Sequence, residues 1–153
     1  MIGKALLAIA FLAGAGPALG QTTKADASEL ARLMQAAGYQ AALGKDGTGD
    51  PMITSGTSGS KFAVLFYNCT NHRDCTTIQF QAAWAMKDKP TLASINEWNR
   101  NKRFARAYLD GAGDPTIAMD VDLDQGGMSP ALFRDNLDVW IAIVDAFKKH
   151  IGQ

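Results

Sequence analysis

The sequence predicts an α+β fold, an antiparallel sheet with flanking helices in the order α-β-β-β-β-α-β-β-α. Three observations predict it. Near the C-terminus, Phe133, Leu137, Trp140, Val144, Phe147 and Ile151 recur at alternating spacings of four and three, the period of one helical face. In mid-chain, residues 61–68 and 76–84 are rich in aromatic and β-branched side chains and flank a short polar segment, as the two arms of a hairpin do. Between Thr116 and Asp124, Met119, Val121 and Leu123 alternate with Asp120, Asp122 and Asp124, the period-two pattern of a strand with one dry face.

Each element has its own warrant. Asp26 followed by Glu29 is a capping-box pattern, opening a helix whose apolar face is Leu30, Leu33, Met34 and Ala37, with Gly38 as its stop. Tyr39 to Leu43 reads as the first strand, Gly44 to Asp50 as a glycine-rich turn, and Met52 to Gly56 as the second strand. The Thr57 to Ser60 turn leads into the two aromatic-rich strands. Pro90 ends the strand run, because proline cannot donate to a ladder. Thr91 caps a second helix with Leu92, Ile95, Trp98 and part of Asn99 on its buried stripe. Residues 104–109 and 116–123 form two more strands about the Asp110–Pro115 turn. Ser129 as cap and Pro130 at the first helical position start the last helix, whose stripe Leu132, Val139 and Ile143 broaden enough to pack on a sheet. Lys148, Lys149 and His150 suit its C-terminal dipole. Neither an internal repeat nor a domain linker is read.

Residues 1–20 read as a cleaved signal peptide: Lys4, an apolar run from Ala5 to Ala15, Pro17, then small residues before Gln21. The run is too short to span a bilayer, which needs roughly 20 residues. Residues 21–153 are then a single domain in the periplasm, with no membrane span. Lys4 leaves with the leader, so the mature chain has one basic side chain fewer than acidic. That balance gives no broad electrostatic reason to bind nucleic acid.

The only cysteines, Cys69 and Cys75, read as a disulfide in this oxidising setting. Placing one opposite the other across the hairpin fixes a register. Phe66 then meets Ile78, Val64 meets Phe80 and Phe62 meets Ala82 on an apolar face. Tyr67 meets Thr77 and Leu65 meets Gln79 on the other. A slip by one residue would mix the faces. A redox pair favours closer Cys-x-x-Cys spacing, and a zinc site using His72 lacks a fourth ligand.

Catalytic and cofactor motifs are poorly supported. His72 and His150 have no nucleophile and orienting acid placed beside them by sequence, and Gly56-Thr-Ser-Gly59 lacks the nucleophile-elbow spacing. Asp120-x-Asp122-x-Asp124 starts like a calcium loop, but Gln125 and Ala131 stand where that loop needs glycine and glutamate. No glycine-rich segment has phosphate-binding spacing. The expectation is a protein that is not an enzyme and carries no cofactor or metal.

The segment Ile95-Asn-x-Trp98-Asn-x3-Arg103-Phe104, with Ala107-Tyr-Leu-Asp110 and the Asp114-Pro115 turn, resembles the YbjN-domain family. Over roughly residues 27–151 the resemblance implies a fold like that of type III secretion chaperones, and a small binding or regulatory module without an agreed chemistry. It also makes a homodimer one of the forms to test. The leader and the cysteine pair depart from the family's cytoplasmic, cysteine-independent picture. The expected function is a non-catalytic periplasmic module, chaperone-like or regulatory, that recognises an unidentified protein partner on its sheet or last helix. Two alternatives compete with it. One is a small anionic-ligand binder using the Arg100–Arg106 cluster, with Trp98, Asn99, Arg100, Arg103 and Arg106 as candidate binding residues. The other is a structural homodimer of the cell envelope. Asn96 and Asn99 also suit a plainer role, hydrogen-bonding backbone where helix meets strand.

Overall fold

A computed structural model describes residues 22–153. The leader expected over residues 1–20 lies outside them. The elements are α1 (Ala27–Ala36), β1 (Ala42–Lys45), β2 (Pro51–Thr57), β3 (Ser60–Tyr67), β4 (Thr77–Ala83), α2 (Leu92–Asn101), β5 (Arg106–Leu109), β6 (Pro115–Asp122) and α3 (Pro130–His150). The expected class and element order hold. One antiparallel six-stranded sheet runs β1-β2-β3-β4-β6-β5, so β6 is inserted between β4 and β5.

The expected caps are all in use. The Asp26 carboxylate accepts from Glu29 N, the Thr91 hydroxyl from Ser94 N and the Ser129 hydroxyl from Leu132 N. The hydrogen bonds from Glu29 N and the Ser28 hydroxyl hold the Asp26 carboxyl below the usual carboxylate range. The β3–β4 ladder has the expected register, with Val64 opposite Phe80, Leu65 opposite Gln79, Phe66 opposite Ile78 and Tyr67 opposite Thr77.

Three strand and stripe expectations are corrected. The first strand starts at Ala42, not Tyr39. Gly38 takes a left-handed φ of +90°, and Tyr39 N still donates to Met34 O at the end of α1, so the chain is not yet extended there. The fifth strand starts at Arg106, not Phe104, whose φ of +73° breaks the extended run. Leu92 and Leu132 are exposed (72 % and 50 %), because each sits in a first helical turn that the sheet does not cover.

The helices supply the core on one face of the sheet. Trp140 of α3 stacks on Phe80 with centroids 5.7 Å apart and meets Phe62 edge-on at 6.1 Å. Phe133 packs on Phe80 from the same helix. Trp98 of α2 stands edge-on to Phe147 at 4.9 Å, so α2 reaches the core through α3. Leu30 and Met34 of α1 are fully buried, as are Ile53, Val64, Phe66, Ile78 and Ile117 on the strands below. The other face carries no helix.

The two edge hairpins share a turn. Asp46-Gly-Thr-Gly49-Asp50-Pro51 and Asp110-Gly-Ala-Gly113-Asp114-Pro115 are the same hexapeptide but for one residue. In each, the first aspartate accepts backbone N–H bonds from the residues two and four further on. Each turn also follows a ten-residue helix, giving the units α1-β1-β2 and α2-β5-β6 at opposite edges of the sheet. The sequence therefore does hold an internal correspondence, contrary to the reading above. The strands on either side are not alike in sequence, and only the turn, where few residues satisfy the geometry, makes it visible.

The N-terminal segment closes the sheet's other end. Thr23 exchanges two backbone bonds with Met128 (2.6 and 3.0 Å), and Ala25 bridges Cys75. Cys69 and Cys75 stand as a disulfide-compatible pair, with Cα atoms 3.8 Å apart. Between them Thr70 and Arg73 exchange backbone bonds about Asn71 and His72, both with left-handed φ.

Candidate binding face

The uncovered face of the sheet follows from strand parity. Successive side chains alternate between faces, so with Val64, Ile78, Phe80 and Met119 buried under helices, their neighbours point the other way. Leu65 and Tyr67 of β3, Gln79 and Gln81 of β4, Asp120 of β6, and Arg106 and Tyr108 of β5 therefore share one surface. They are wired together. Gln79 Nε2 donates to Asp120 Oδ1, and Arg106 Nη1 pairs with Asp120 Oδ2. Gln81 Nε2 donates to the Tyr108 hydroxyl at 2.8 Å.

The network is a set of side-chain hydrogen bonds and one ion pair. Gln79 is buried (6 % exposed) by its neighbours, and its amide fixes the Asp120 carboxylate for Arg106. Tyr67, partly exposed, has its hydroxyl pKa pushed up, chiefly by burial, then by Tyr108 and Asp120 nearby. It therefore stays protonated at neutral pH and offers a donor beside half-buried Leu65 and Met52. Apolar patches interleaved with fixed donors and acceptors are what a protein surface needs in order to dock another.

The candidate residues read from the sequence are not gathered into one site. Trp98 is buried (1 % exposed) in the core between Phe147 and His150. Asn99 faces the edge of β5, where Nδ2 donates to Ala107 O at 2.9 Å and Oδ1 accepts from Ala107 N at 2.7 Å. That matches the backbone-bonding role foreseen for it, while Asn96 is exposed. Arg100 and Arg103 point to solvent, with the Arg103 guanidinium 5.0 Å from the exposed Phe104 ring. Arg106 alone belongs to the uncovered face, paired with Asp120.

A shallow groove of about 630 Å³ between α2 and α3 is edged by Trp98, Lys102, Asp145, Lys149 and His150, so charges of both signs meet there. His72 Nδ1 lies 2.8 Å from Asp50 Oδ1, and His150 Nε2, at the edge of the groove, lies 3.1 Å from the Ser94 hydroxyl and 2.9 Å from Ser94 O. Among the described residues no group of three or more His, Cys, Asp or Glu side chains is placed to hold a metal ion. No helix there is long and apolar enough to cross a membrane.

Tyr67, Gln79, Gln81 and Tyr108 were not among the candidate binding residues read from the sequence. The β3–β4 alternation already put Tyr67 and Gln79 on a common face. That β6 and β5 continue this face beside β4 depends on a non-sequential pairing, which local pattern does not encode.

No curated protein and no solved structure matches the chain. The family model for YbjN, described as "Putative bacterial sensory transduction regulator", matches residues 26–153, from the cap of α1 to the last residue. A match over the whole described fold, both edge hairpins included, places it: the chain belongs to the YbjN family.

Proposed function

We propose that this protein is a non-catalytic periplasmic module of its regulatory family that recognises a protein partner on the uncovered face of its sheet. The observation that carries the reading is the one-sided packing. Three helices cover one face, and the other presents Leu65, Tyr67 and Met52 beside the Gln79–Asp120–Arg106 network. The Gln79–Asp120–Arg106 contacts hold those side chains before binding, so less ordering entropy is lost there on docking.

Site-specific photo-cross-linking in intact cells tests it. A photoreactive residue at Tyr67 should trap one reproducible protein, whereas the same residue at the exposed Asp135 on the outer side of α3 should not. Equal trapping at both positions, or none at Tyr67, would remove the reading.

The periplasmic setting also makes Cys69–Cys75 a disulfide. Closing so short a loop stabilises by about 2 kcal/mol through the unfolded chain. The Cys69→Ser/Cys75→Ser double variant should therefore lose that much unfolding free energy in urea denaturation, with a lower midpoint. A wild-type midpoint insensitive to reductant would show that the pair is not bonded in the cell.

A further inference from the structure

The two edges of the sheet are built alike but end differently. In both hairpins the first aspartate donates its N–H to the carbonyl of the second: Asp46 to Asp50 and Asp110 to Asp114, each at 2.9 Å. Bonded and non-bonded pairs alternate along an antiparallel ladder. Counting back from these bonds, Leu43 and Ala107 occupy equivalent non-bonded sites, opposite Ile53 and Ile117. Their own N–H and C=O groups therefore point away from the sheet.

At Ala107 both groups are taken by the Asn99 carboxamide, which supplies the donor and acceptor that a seventh strand would supply. Gln35 occupies the equivalent position on α1, but its Nε2 donates to Ala41 O at 3.1 Å instead. The Leu43 pair has no partner among the described residues, and the Leu43 side chain is 59 % exposed.

We propose that the Asn99 side chain is an autoinhibitory contact. It occupies the backbone pair of β5 through which β1 of a second copy of this chain would otherwise add to the sheet. The fit is specific to these two edges. Both strands are four residues long. With Leu43 set antiparallel against Ala107 of the next copy, Arg106 falls opposite Gly44 and Lys45 opposite Ala105, so no like charges face each other across the pair. The joint is head-to-tail, so an unblocked edge would link molecules into rings or chains larger than a dimer. Edge strands are commonly protected against such pairing; here the backbone pair is capped by Asn99, carried on α2 beside β5, on one edge only.

Sedimentation velocity of the mature protein tests this. The Asn99→Ala variant should form species that grow with concentration, and adding Leu43→Pro, which removes the donor from the incoming strand, should return it to wild-type size. A folded Asn99→Ala protein of wild-type size at every concentration would overturn the proposal, as would association that Leu43→Pro leaves intact. Should Asn99→Ala not fold, Asn99→Asp keeps the acceptor for Ala107 N–H and sets a carboxylate against Ala107 O. It should associate less strongly, with the same reversal by Leu43→Pro and the same overturning outcomes. Hydrogen exchange on the wild type needs no variant: the Ala107 amide should be protected and the Leu43 amide fast, and equal rates would overturn the proposal.

Discussion

Replacing Trp98 with alanine is expected to cost about 3–5 kcal/mol of unfolding free energy, the range for emptying a large buried aromatic site. Its ring is enclosed by Phe147 at 4.9 Å and His150 at 5.5 Å, and it is what fixes α2 to α3. The loss also reaches the sheet edge, since α2 carries Asn99 to Ala107. Trp98→Phe should cost much less. The indole Nε1 is buried without a hydrogen-bond partner in the protein, so a phenyl ring gives up area but no polar interaction. Urea denaturation of the two variants checks the order. If Trp98→Ala kept wild-type stability and lost only ligand or partner binding, the placement of this residue in the core would be wrong.

Gly127→Ala is expected to displace the N-terminal segment, at a cost of about 2–4 kcal/mol from backbone strain and lost hydrogen bonds. Gly127 has a φ of +78°, and a Cβ there would stand 2.1 Å from the Thr23 carbonyl oxygen. No side-chain rotation relieves a collision with backbone. Thr23 must leave Met128, and with it go the buried positions of Thr23 and Ala25. Gly126→Ala is the control: its φ is also positive, but nothing lies within 4 Å of the added carbon. Only the left-handed penalty of roughly 1–2 kcal/mol then applies. Hydrogen exchange should show fast Thr23 and Met128 amides in Gly127→Ala alone, with β6 still protected. Unchanged protection of Thr23 would refute this account.

These two sites mark where the sequence was legible and where it was not. The helix caps, the α3 stripe and the β3–β4 register could be read because each rests on contacts within a few residues or across one tight loop. The Asp120/Asp122 alternation likewise gave the faces of β6. Trp98 and the arginines were grouped as a site because they are neighbours in sequence, yet a helix and a left-handed residue at Phe104 send them in separate directions. Nothing near Thr23 or Gly127 foretells their approach, because the two lie far apart in sequence. The uncovered face was half visible: β3 and β4 declared it, and the adjacency of β6 and β5 did not.

The insertion of β6 between β4 and β5 also bears on how the chain reaches its fold. Four of the five strand pairings join consecutive strands and close short loops, the kind of contact that forms quickly. The β4–β6 seam alone must wait for α2 and β5 to be threaded past it. The seam joins the β1–β4 meander to the β5–β6 hairpin, and of the five pairings it closes the longest stretch of chain. The pairing with the largest closure cost therefore runs along the same line of residues, Gln79 and Asp120 among them, that organises the uncovered surface.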